Sequence, residues 1–266
     1  MSGRYGQPAI PAAPQKKLGL ALGGGGARGL AHVGVIRALE REDIRIDCIA
    51  GTSVGSLVGA SYAAGFRGER LLELALSAHW RDLARPIWPH NGFVSFEPME
   101  RLLRDRFDDR TFAETDIPYA AIAADLATGE QGTLREGKLA PAVRASCSVP
   151  GIVTPTEIGG RLLTDGGTVN NLPISVVREL GADVVLAVAL ADPASGPPQG
   201  ACHIALRAIE FLLYHAADDP ATADIFLAVP LTGFSSLVRT SAGQRLIALG
   251  EQIAEQALPD IKAALS

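Results

Sequence analysis

Short apolar runs recur along the chain, each bounded by glycine, proline or charged residues. Runs of this length, rich in valine, isoleucine, leucine and alanine, are typical of strands buried inside a sheet. The clearest is Asp183–Leu190, in which seven apolar residues follow one aspartate. The predicted strands are Leu18–Leu22, Ile46–Ala50, Pro118–Asp125, Gln131–Leu134, Arg161–Thr164, Asp183–Leu190 and Ile225–Val229.

Between these strands, apolar residues recur at the spacing of one helix face. In Ala27–Arg41, for example, Leu30, Val33 and Leu39 fall on one side of the helix. Strands separated by helices predict an α/β fold whose mostly parallel sheet is covered on both faces. The predicted helices are Ala27–Arg41, Val54–Ala64, Arg70–His79, Glu97–Phe107, Pro141–Ser148, Ile174–Leu180, Cys202–Ala217 and Ser241–Ala257.

Two segments carry many large apolar residues outside the predicted strands. Trp80–Phe96 is rich in proline and aromatic residues, and suits either a lid or acyl-binding wall or a loop packed on the core. Ile204–Tyr214 is an apolar helix with Arg207 as its only cation. Because a membrane-surface helix usually has a basic polar face, we interpret this helix as packed on the core. Ala191–Gly200, with three prolines, is predicted as a loop.

Composition limits the class of protein. The 266 residues suffice for one large domain, and the net charge of −5 argues against a nucleic-acid partner. Cys48, Cys147 and Cys202 are widely spaced, which favours a reducing cytoplasmic setting without a zinc site or disulfide framework. Residues 1–17 lack an apolar core and are predicted to be a disordered leader. Cys48–Phe66 is uncharged, but its glycines and hydroxyls indicate a buried turn and helix, so no transmembrane segment is expected.

The sequence Gly51-Thr-Ser53-Val-Gly55 has the spacing of a nucleophile elbow. A predicted strand enters it and a predicted helix leaves it, so the turn would hold the Ser53 hydroxyl out at the sheet edge. Glycines flank the serine because a Cβ atom there would clash in so tight a turn.

Gly23–Gly29, which we call the glycine loop, joins the first strand to the first helix. Its backbone N–H groups suit either a phosphate or the oxyanion of acyl transfer. Gly24, Gly26 and Gly29 match the dinucleotide-binding spacing, but the second strand ends at the elbow rather than at the acidic residue that this fold expects. If the first two strands are parallel neighbours, the loop lies beside Ser53.

A nucleophilic serine also needs a base. None of the five histidines stands in a motif that places it at a strand end; they are His32, His79, His90, His203 and His215. Asp165 directly follows a predicted strand and precedes Gly166 and Gly167, which would let the chain turn and bring the carboxylate towards Ser53. The same three residues also suit an ordinary surface turn.

Three motifs in a fixed order resemble those of the patatin-like phospholipase family. They are Gly24–Gly29, Gly51–Gly55 and Asp165–Gly167, and the third has glycine where many members have alanine. The blocks Gly29–Ile36, Ala145–Gly151 and Asp165–Pro173 are also similar to the family's sequence. The similarity covers Leu18–Leu190 and is strongest to the short bacterial members.

The resemblance implies a three-layer α/β/α fold in a single hydrolase domain over residues 18–266. It implies that Ser53 attacks an ester carbonyl to form an acyl-enzyme, with Asp165 as the proton acceptor and no cofactor or metal. It implies an oxyanion hole at Gly24, Gly25 and Gly26. The supporting residues that it implies are Arg28, Gly29, Gly51, Gly55 and Gly166.

The expected substrate is a phospholipid or lysophospholipid ester, met at a membrane surface by a cytoplasmic protein that is peripheral to the inner membrane. Arg28 would hold the glycine loop or lie near a lipid phosphate, and its spacing allows both roles. Two alternatives stay open. One is a regulatory protein that binds nucleotide or phosphate at the glycine loop, and the other is an acyltransferase that uses the same dyad.

Overall fold

The computed structural model describes residues 16–77, 79–88, 91–190, 200–231 and 242–266. Its main sheet has eight strands, with seven in the order β10-β9-β1-β2-β5-β8-β7 and β6 paired to β5. Strands β10, β9, β1, β2 and β5 are parallel, whereas β6 and β8 run antiparallel to β5, and β7 runs antiparallel to β8. The strands are β1 Leu18–Leu22, β2 Cys48–Thr52, β3 Arg85–Pro86, β4 Val94–Ser95, β5 Tyr119–Asp125, β6 Gln131–Leu134, β7 Thr156–Ile158, β8 Arg161–Asp165, β9 Val184–Ala189 and β10 Ile225–Ala228.

The structure describes nine α-helices. They are α1 Leu30–Arg41, α2 Val54–Ala63, α3 Gly68–Ser77, α4 Trp80–Leu83, α5 Glu97–Arg106, α6 Leu139–Ser146, α7 Ile174–Glu179, α8 Ala201–His215 and α9 Gly243–Leu265. A 3₁₀ turn over Gly26–Gly29 precedes α1, so the α-helix begins three residues later than the sequence predicts. The predicted three-layer α/β/α fold is confirmed.

Side-chain alternation along the buried strands builds a hydrophobic core on each face of the sheet. On β1, Leu18, Leu20 and Leu22 pack on the side that also holds buried residues of α1, α2 and α9. The intervening Ala21 packs on the opposite side with small residues of β2 and β5 and with α7. Because a strand alternates its side chains, one sequence run serves both layers.

Helix α9 extends further than its pattern predicts. Pro259 lies inside it, where the ring removes one backbone hydrogen bond and would usually end a helix. The helix continues because Ile261 beyond the proline is fully buried and Lys262 Nζ donates to Glu42 Oε2 at 2.7 Å. Tertiary packing outweighs the local signal here.

The core-packing interpretation of helix α8 is wrong for several of its side chains. Ile204, Phe211 and Leu212 are 55%, 46% and 67% exposed, whereas Arg207 is buried. Helix α8 thus presents an apolar face outward. Among the described helices, none has the length and apolar character that crossing a bilayer requires.

The segment Trp80–Phe96 contains helix α4 and the short antiparallel pair β3–β4 rather than being wholly irregular, although residues 89–90 lie outside the described residues. Phe96 is buried, but Trp88 is 89% and Phe93 is 62% exposed. The segment therefore combines a packed end with apolar side chains that face solvent.

Two sequence predictions fall wholly or largely outside the described residues. They are the leader over 1–17 and the loop over 191–200. The last two residues of the predicted leader are described and are held on the fold. Lys16 Nζ donates to Ala264 O at 2.8 Å, and the Lys17 N–H donates to Asp183 Oδ2 at 2.8 Å.

Candidate active site

Strand β5 brings the ends of two other strands together. Strand β2 pairs with the first half of β5 in parallel, and its last residue, Thr52, lies opposite Ile122. Strand β8 pairs with the second half in antiparallel, and its last residue, Asp165, lies opposite Ala123. Strand β6 pairs with Ala121–Ala124 of β5, a stretch that includes partners of both β2 and β8. Strands β2 and β8 therefore both lie on the edge of β5 opposite β6. The two strands therefore end head to head.

Ser53 follows β2 directly and lies at that meeting point. Its φ of 53° and ψ of −123° fall outside the usual regions for a residue with a side chain, as expected for a strained nucleophile elbow. The Ser53 N–H donates to Ser146 Oγ at 2.9 Å, which holds the strained backbone. Helix α2 begins at the next residue.

The predicted roles of the glycines around the elbow have a steric basis. A Cβ atom on Gly51 would lie 2.4 Å from Gly55 O, and one on Gly55 would lie 2.1 Å from Leu22 O. A Cβ atom on Gly29 would lie 2.1 Å from Val54 Cγ2, and one on Gly166 would lie 2.2 Å from Ile122 O. Each distance is shorter than any ordinary contact, so the chain segments pack this closely only with glycine.

The Asp165 carboxylate lies within hydrogen-bond reach of the Ser53 hydroxyl. Ser53 Oγ donates to Asp165 Oδ2 at 2.7 Å, and the Gly167 N–H donates to Asp165 Oδ1 at 2.8 Å. Burial raises the pKa of Asp165 to about 6, and the two hydrogen bonds partly offset that rise. A carboxylate with a pKa near neutrality can accept a proton and return it.

The glycine loop lies beside the elbow because β1 and β2 are parallel neighbours, with Leu22 opposite Gly51. A Cβ atom on Gly24 would lie 3.3 Å from Ser53 Cβ. The Gly24 N–H is already engaged, since it donates to O and Oδ1 of Asn171, both at 3.2 Å. Among the described residues, none accepts a hydrogen bond from the N–H of Gly25 or Gly26.

Arg28 contacts the backbone of the glycine loop. The side chain is buried, and its Nε donates to Gly25 O at 3.0 Å. Of the two roles that the sequence allowed, this geometry favours holding the loop. Gly26 adopts a φ of 58°, in the left-handed region that favours glycine.

The histidines take other positions in the described parts of the chain. His32 is fully buried, and its Nε2 lies 2.8 Å from Gly23 O. His79 is exposed, with Nδ1 2.8 Å from Ser77 O, and His215 is exposed at the end of α8. His90 and the side chain of His203 lie outside the described residues. In the described structure the Ser53 hydroxyl donates its hydrogen bond to Asp165, not to a histidine.

Sequence reasoning missed three residues that hold the site: His32, Ser146 and Asn171. Each is a polar residue with no local signal of its own. They fall inside the blocks Gly29–Ile36, Ala145–Gly151 and Asp165–Pro173, so the blocks that resemble the family contained the only indication. Val54 directly follows Ser53 and begins α2, which is the position whose N–H stabilises the oxyanion in nucleophile-elbow hydrolases.

The chain belongs to the patatin-like phospholipase family, whose model matches residues 20–178. An uncharacterized NTE family protein of Mycobacterium tuberculosis is 38% identical over 188 residues, which cover 70% of this chain and 52% of that protein. The lysophospholipase NTE1 of Saccharomyces cerevisiae is 36% identical over 177 residues, which cover 64% of this chain and 10% of that protein. The chain thus spans about half the length of the mycobacterial relative and a tenth of the yeast one.

Two solved structures share the fold. VipD from Legionella pneumophila matches with a TM-score of 0.55 at 14% identity, covering 93% of this chain and 67% of that one. The type III effector protein ExoU of Pseudomonas aeruginosa matches with a TM-score of 0.56 at 15% identity, covering 95% of this chain and 54% of that one. At these identities the likeness concerns the fold.

Proposed function

We propose that this protein is a serine hydrolase of lipid acyl esters, with Ser53 as nucleophile and Asp165 as its base. The observation that carries the proposal is the 2.7 Å hydrogen bond from a strained elbow serine to a buried carboxylate. Membership of the patatin-like phospholipase family and the yeast relative's name, lysophospholipase, support a lipid ester as substrate.

In the proposed reaction, Asp165 Oδ2 takes the proton of Ser53 Oγ as the oxygen attacks the ester carbonyl. The tetrahedral oxyanion accepts hydrogen bonds from backbone N–H groups of the glycine loop. The intermediate then collapses to a Ser53 acyl ester, and the departing alcohol takes the proton from Asp165. Water, activated by the same carboxylate, releases the fatty acid and restores Ser53.

This proposal assigns fewer glycine-loop donors to the oxyanion than the sequence predicts. Because Asn171 already engages the Gly24 N–H, the N–H groups of Gly25 and Gly26 are the donors that we assign to the glycine loop. As a third donor we assign the N–H of Val54, the residue directly after Ser53. The supporting glycines and Arg28 act by keeping these backbone groups in place.

A fluorophosphonate probe tests the nucleophile. We expect the wild-type protein to be labelled and Ser53→Ala to resist labelling, with Ser61→Ala as the matched control. Ser61 is a buried serine on helix α2, which begins directly after Ser53, and its hydroxyl donates only to Leu57 O, at 2.8 Å, among the described residues. Equal labelling of Ser53→Ala and wild type would reject Ser53 as nucleophile.

Hydrolysis and acyl transfer both proceed through the acyl-enzyme. They differ only in the molecule that accepts the acyl group. Turnover of mixed phospholipid and lysophospholipid vesicles in ¹⁸O-labelled water is the direct experiment. We expect ¹⁸O in the released fatty acid, since water is the proposed acceptor. Unlabelled acyl groups on a second alcohol would establish an acyltransferase instead.

The proposed meeting place with substrate is a membrane surface, and helix α8 supports it. Its outward residues Ile204, Phe211 and Leu212 are apolar, and Leu213 lies against the turn that carries Asp165. A Cβ atom on Gly167 would lie 3.0 Å from Leu213 Cδ2. An apolar face beside the candidate site suits contact with lipid.

Vesicle flotation tests this contact in a Ser53→Ala background, where turnover cannot alter the lipid. We expect Phe211→Ser with Leu212→Ser to weaken binding to phosphatidylcholine vesicles. Phe226→Ser, which removes an exposed apolar residue from strand β10, should leave binding unchanged. Equal binding of all these proteins would exclude α8 as the contact surface.

A further inference from the structure

One peptide group of the glycine loop is held at both ends. Its carbonyl, Gly23 O, lies 2.8 Å from His32 Nε2. Its N–H, on Gly24, donates to both oxygens of Asn171. Because a peptide group is planar, fixing the two ends fixes the orientation of the whole unit. We call this unit the held peptide.

The held peptide lies just before the loop's proposed oxyanion donors. The next N–H groups along the chain are those of Gly25 and Gly26. Arg28 Nε holds Gly25 O, and in a trans peptide the N–H points away from the carbonyl, so the Gly26 N–H faces the opposite side. The held peptide and Arg28 together leave the loop little freedom to rotate its donors away.

His32 acts here as a neutral hydrogen-bond donor. Because Gly23 O can only accept, Nε2 carries the hydrogen, and the other ring nitrogen, Nδ1, is buried without a hydrogen-bond partner in the described structure. Burial lowers the pKa of His32 to about 4, which keeps the ring uncharged. An apolar side chain would pack there without the cost of an unsatisfied nitrogen, so the hydrogen bond to the loop is the distinctive contribution of this histidine.

Asn171 lies between the glycine loop and the turn after Asp165. A Cβ atom would lie 2.4 Å from Asn171 Oδ1 if added to Gly24, and 3.1 Å if added to Gly167. The Asn171 N–H donates to Ala216 O just beyond helix α8. One residue therefore contacts the loop, the base-carrying turn and the end of α8.

We infer that His32 and Asn171 are positioning residues for oxyanion stabilisation, acting through the held peptide to direct the N–H groups of Gly25 and Gly26 at the reacting carbonyl oxygen. The inference rests on the proposed function. Neither side chain is assigned contact with substrate. Their effect belongs to the transition state, because the oxygen becomes charged only there.

Steady-state hydrolysis of p-nitrophenyl butyrate, a soluble ester, tests the inference with a matched pair of variants. His32→Met and His32→Gln have similar length, but only glutamine supplies an N–H near the position of His32 Nε2. We expect His32→Met to lower kcat by about 10- to 100-fold with KM changed less than about twofold. His32→Gln should recover most of that loss.

Asn171→Ala provides a second test that does not depend on the folding of the His32 variants. The backbone oxygen of residue 171 remains as an acceptor, so we expect a smaller fall in kcat, about 3- to 10-fold, again without a matching change in KM. Far-ultraviolet circular dichroism and thermal unfolding of each variant report any general loss of structure.

Several outcomes would overturn the inference. These are wild-type kcat in both His32→Met and Asn171→Ala, equal losses in His32→Met and His32→Gln, or losses that appear in KM instead. The proposed function fails separately: in that case wild-type protein does not hydrolyse the ester, or Ser53→Ala hydrolyses it normally.

Discussion

At the scale of single residues, burial and hydrogen bonding act in opposite directions on Asp165. Removal from water favours the neutral carboxyl, whereas the donors Gly167 N–H and Ser53 Oγ–H favour the carboxylate. Burial has the larger effect, so the pKa rises to about 6. This rise in the pKa of Asp165 affects both the pH dependence of hydrolysis and the stability of the fold.

The pH dependence of hydrolysis follows from this raised pKa. Asp165 accepts a proton only when ionised, so kcat/KM for a soluble ester should rise with pH and level off above an apparent pKa near 6. Stopped or continuous assays between pH 4.5 and 8, a range set around that value, are the measurement. A profile that is nearly flat over this range, as the ordinary aspartate pKa of 3.8 would give, would contradict the assignment.

The raised pKa of Asp165 affects stability in the opposite direction: activity rises with pH, whereas the contribution of Asp165 to stability falls. A carboxyl whose pKa is raised by folding contributes stability below its ordinary pKa of 3.8, and this is lost as pH rises through about 6. Asp165→Asn should therefore raise the free energy of unfolding at pH 7.5 by about 3 kcal/mol and change it little near pH 4. Urea unfolding at both pH values measures this difference, while hydrolysis is lost.

Asp125 provides the control of opposite sign. The hydrogen bond from Arg161 Nε, 2.7 Å from Asp125 Oδ2, and the Ala127 N–H lower the pKa of this carboxyl. Its contribution is present above the ordinary pKa and is lost as pH falls through the lowered value. Asp125→Asn should thus lower stability at pH 7.5. A rise in both variants would show that the pH effect does not come from Asp165.

At the scale of elements, the candidate site depends on how closely α1 packs against its neighbours. Helices α1 and α9 cross where each contributes a glycine, Gly34 on α1 and Gly250 on α9. A Cβ atom on Gly34 would lie 2.0 Å from Ile247 O, and one on Gly250 would lie 2.0 Å from Ala31 O. Because α1 leads directly out of the glycine loop, this crossing sets the position of the loop's C-terminal end.

Gly250→Ala tests the crossing. In a helix interior, alanine in place of glycine normally stabilises by about 1 kcal/mol. Here the added methyl meets backbone rather than a movable side chain, so we expect the free energy of unfolding to fall by about 2 kcal/mol or more. Gly243→Ala is the matched control at the start of α9, because its neighbours are the ends of Leu30 and Leu76. Stabilisation by both changes would contradict the close crossing.

Element type was well predicted where the pattern is local. Alternating or continuous apolar runs located every strand of the parallel part of the sheet, and helical spacing located the helices between them. The strand β7, Thr156–Ile158, was not predicted because it has only three residues, two of which are polar. The end of α9 was missed because Pro259 is a local signal that packing overrides.

At the scale of the whole molecule, segments beyond the part that matches the family model complete the fold. Strand β9 pairs with β1, β10 pairs with β9, and α9 covers α1. The match ends at residue 178, so these elements follow it in the chain. They cover β1 and α1, the two elements that the glycine loop connects.

Truncation tests this dependence. A chain ending at Leu190 loses β10, α8 and α9 and exposes the glycine face of α1. We expect no cooperative unfolding, because a typical net stability of about 5–15 kcal/mol leaves little margin for losing this packing. A chain ending at Leu258 keeps the Gly250 crossing and loses only Ile261 and its neighbours, and should fold with reduced stability. Circular dichroism during heating measures both. Cooperative unfolding of the shorter chain would contradict this expectation.

Apart from the choice of Asp165 as candidate base, which the order of the family's motifs indicated, the sequence by itself determined most of the elements, the elbow at Ser53 and the glycine loop. These depend on local features: side-chain periodicity, and glycines where chain segments approach too closely for a Cβ atom. The antiparallel direction of β8, the outward apolar face of α8 and the contacts of His32, Ser146 and Asn171 with the candidate site were decided by the tertiary structure alone. Strand pairing, burial and hydrogen bonds depend on which chain segments meet in the fold, and they leave no periodic trace in the chain. Ser53 and Asp165, 112 positions apart, meet only because β5 offers one edge to two strands running towards each other.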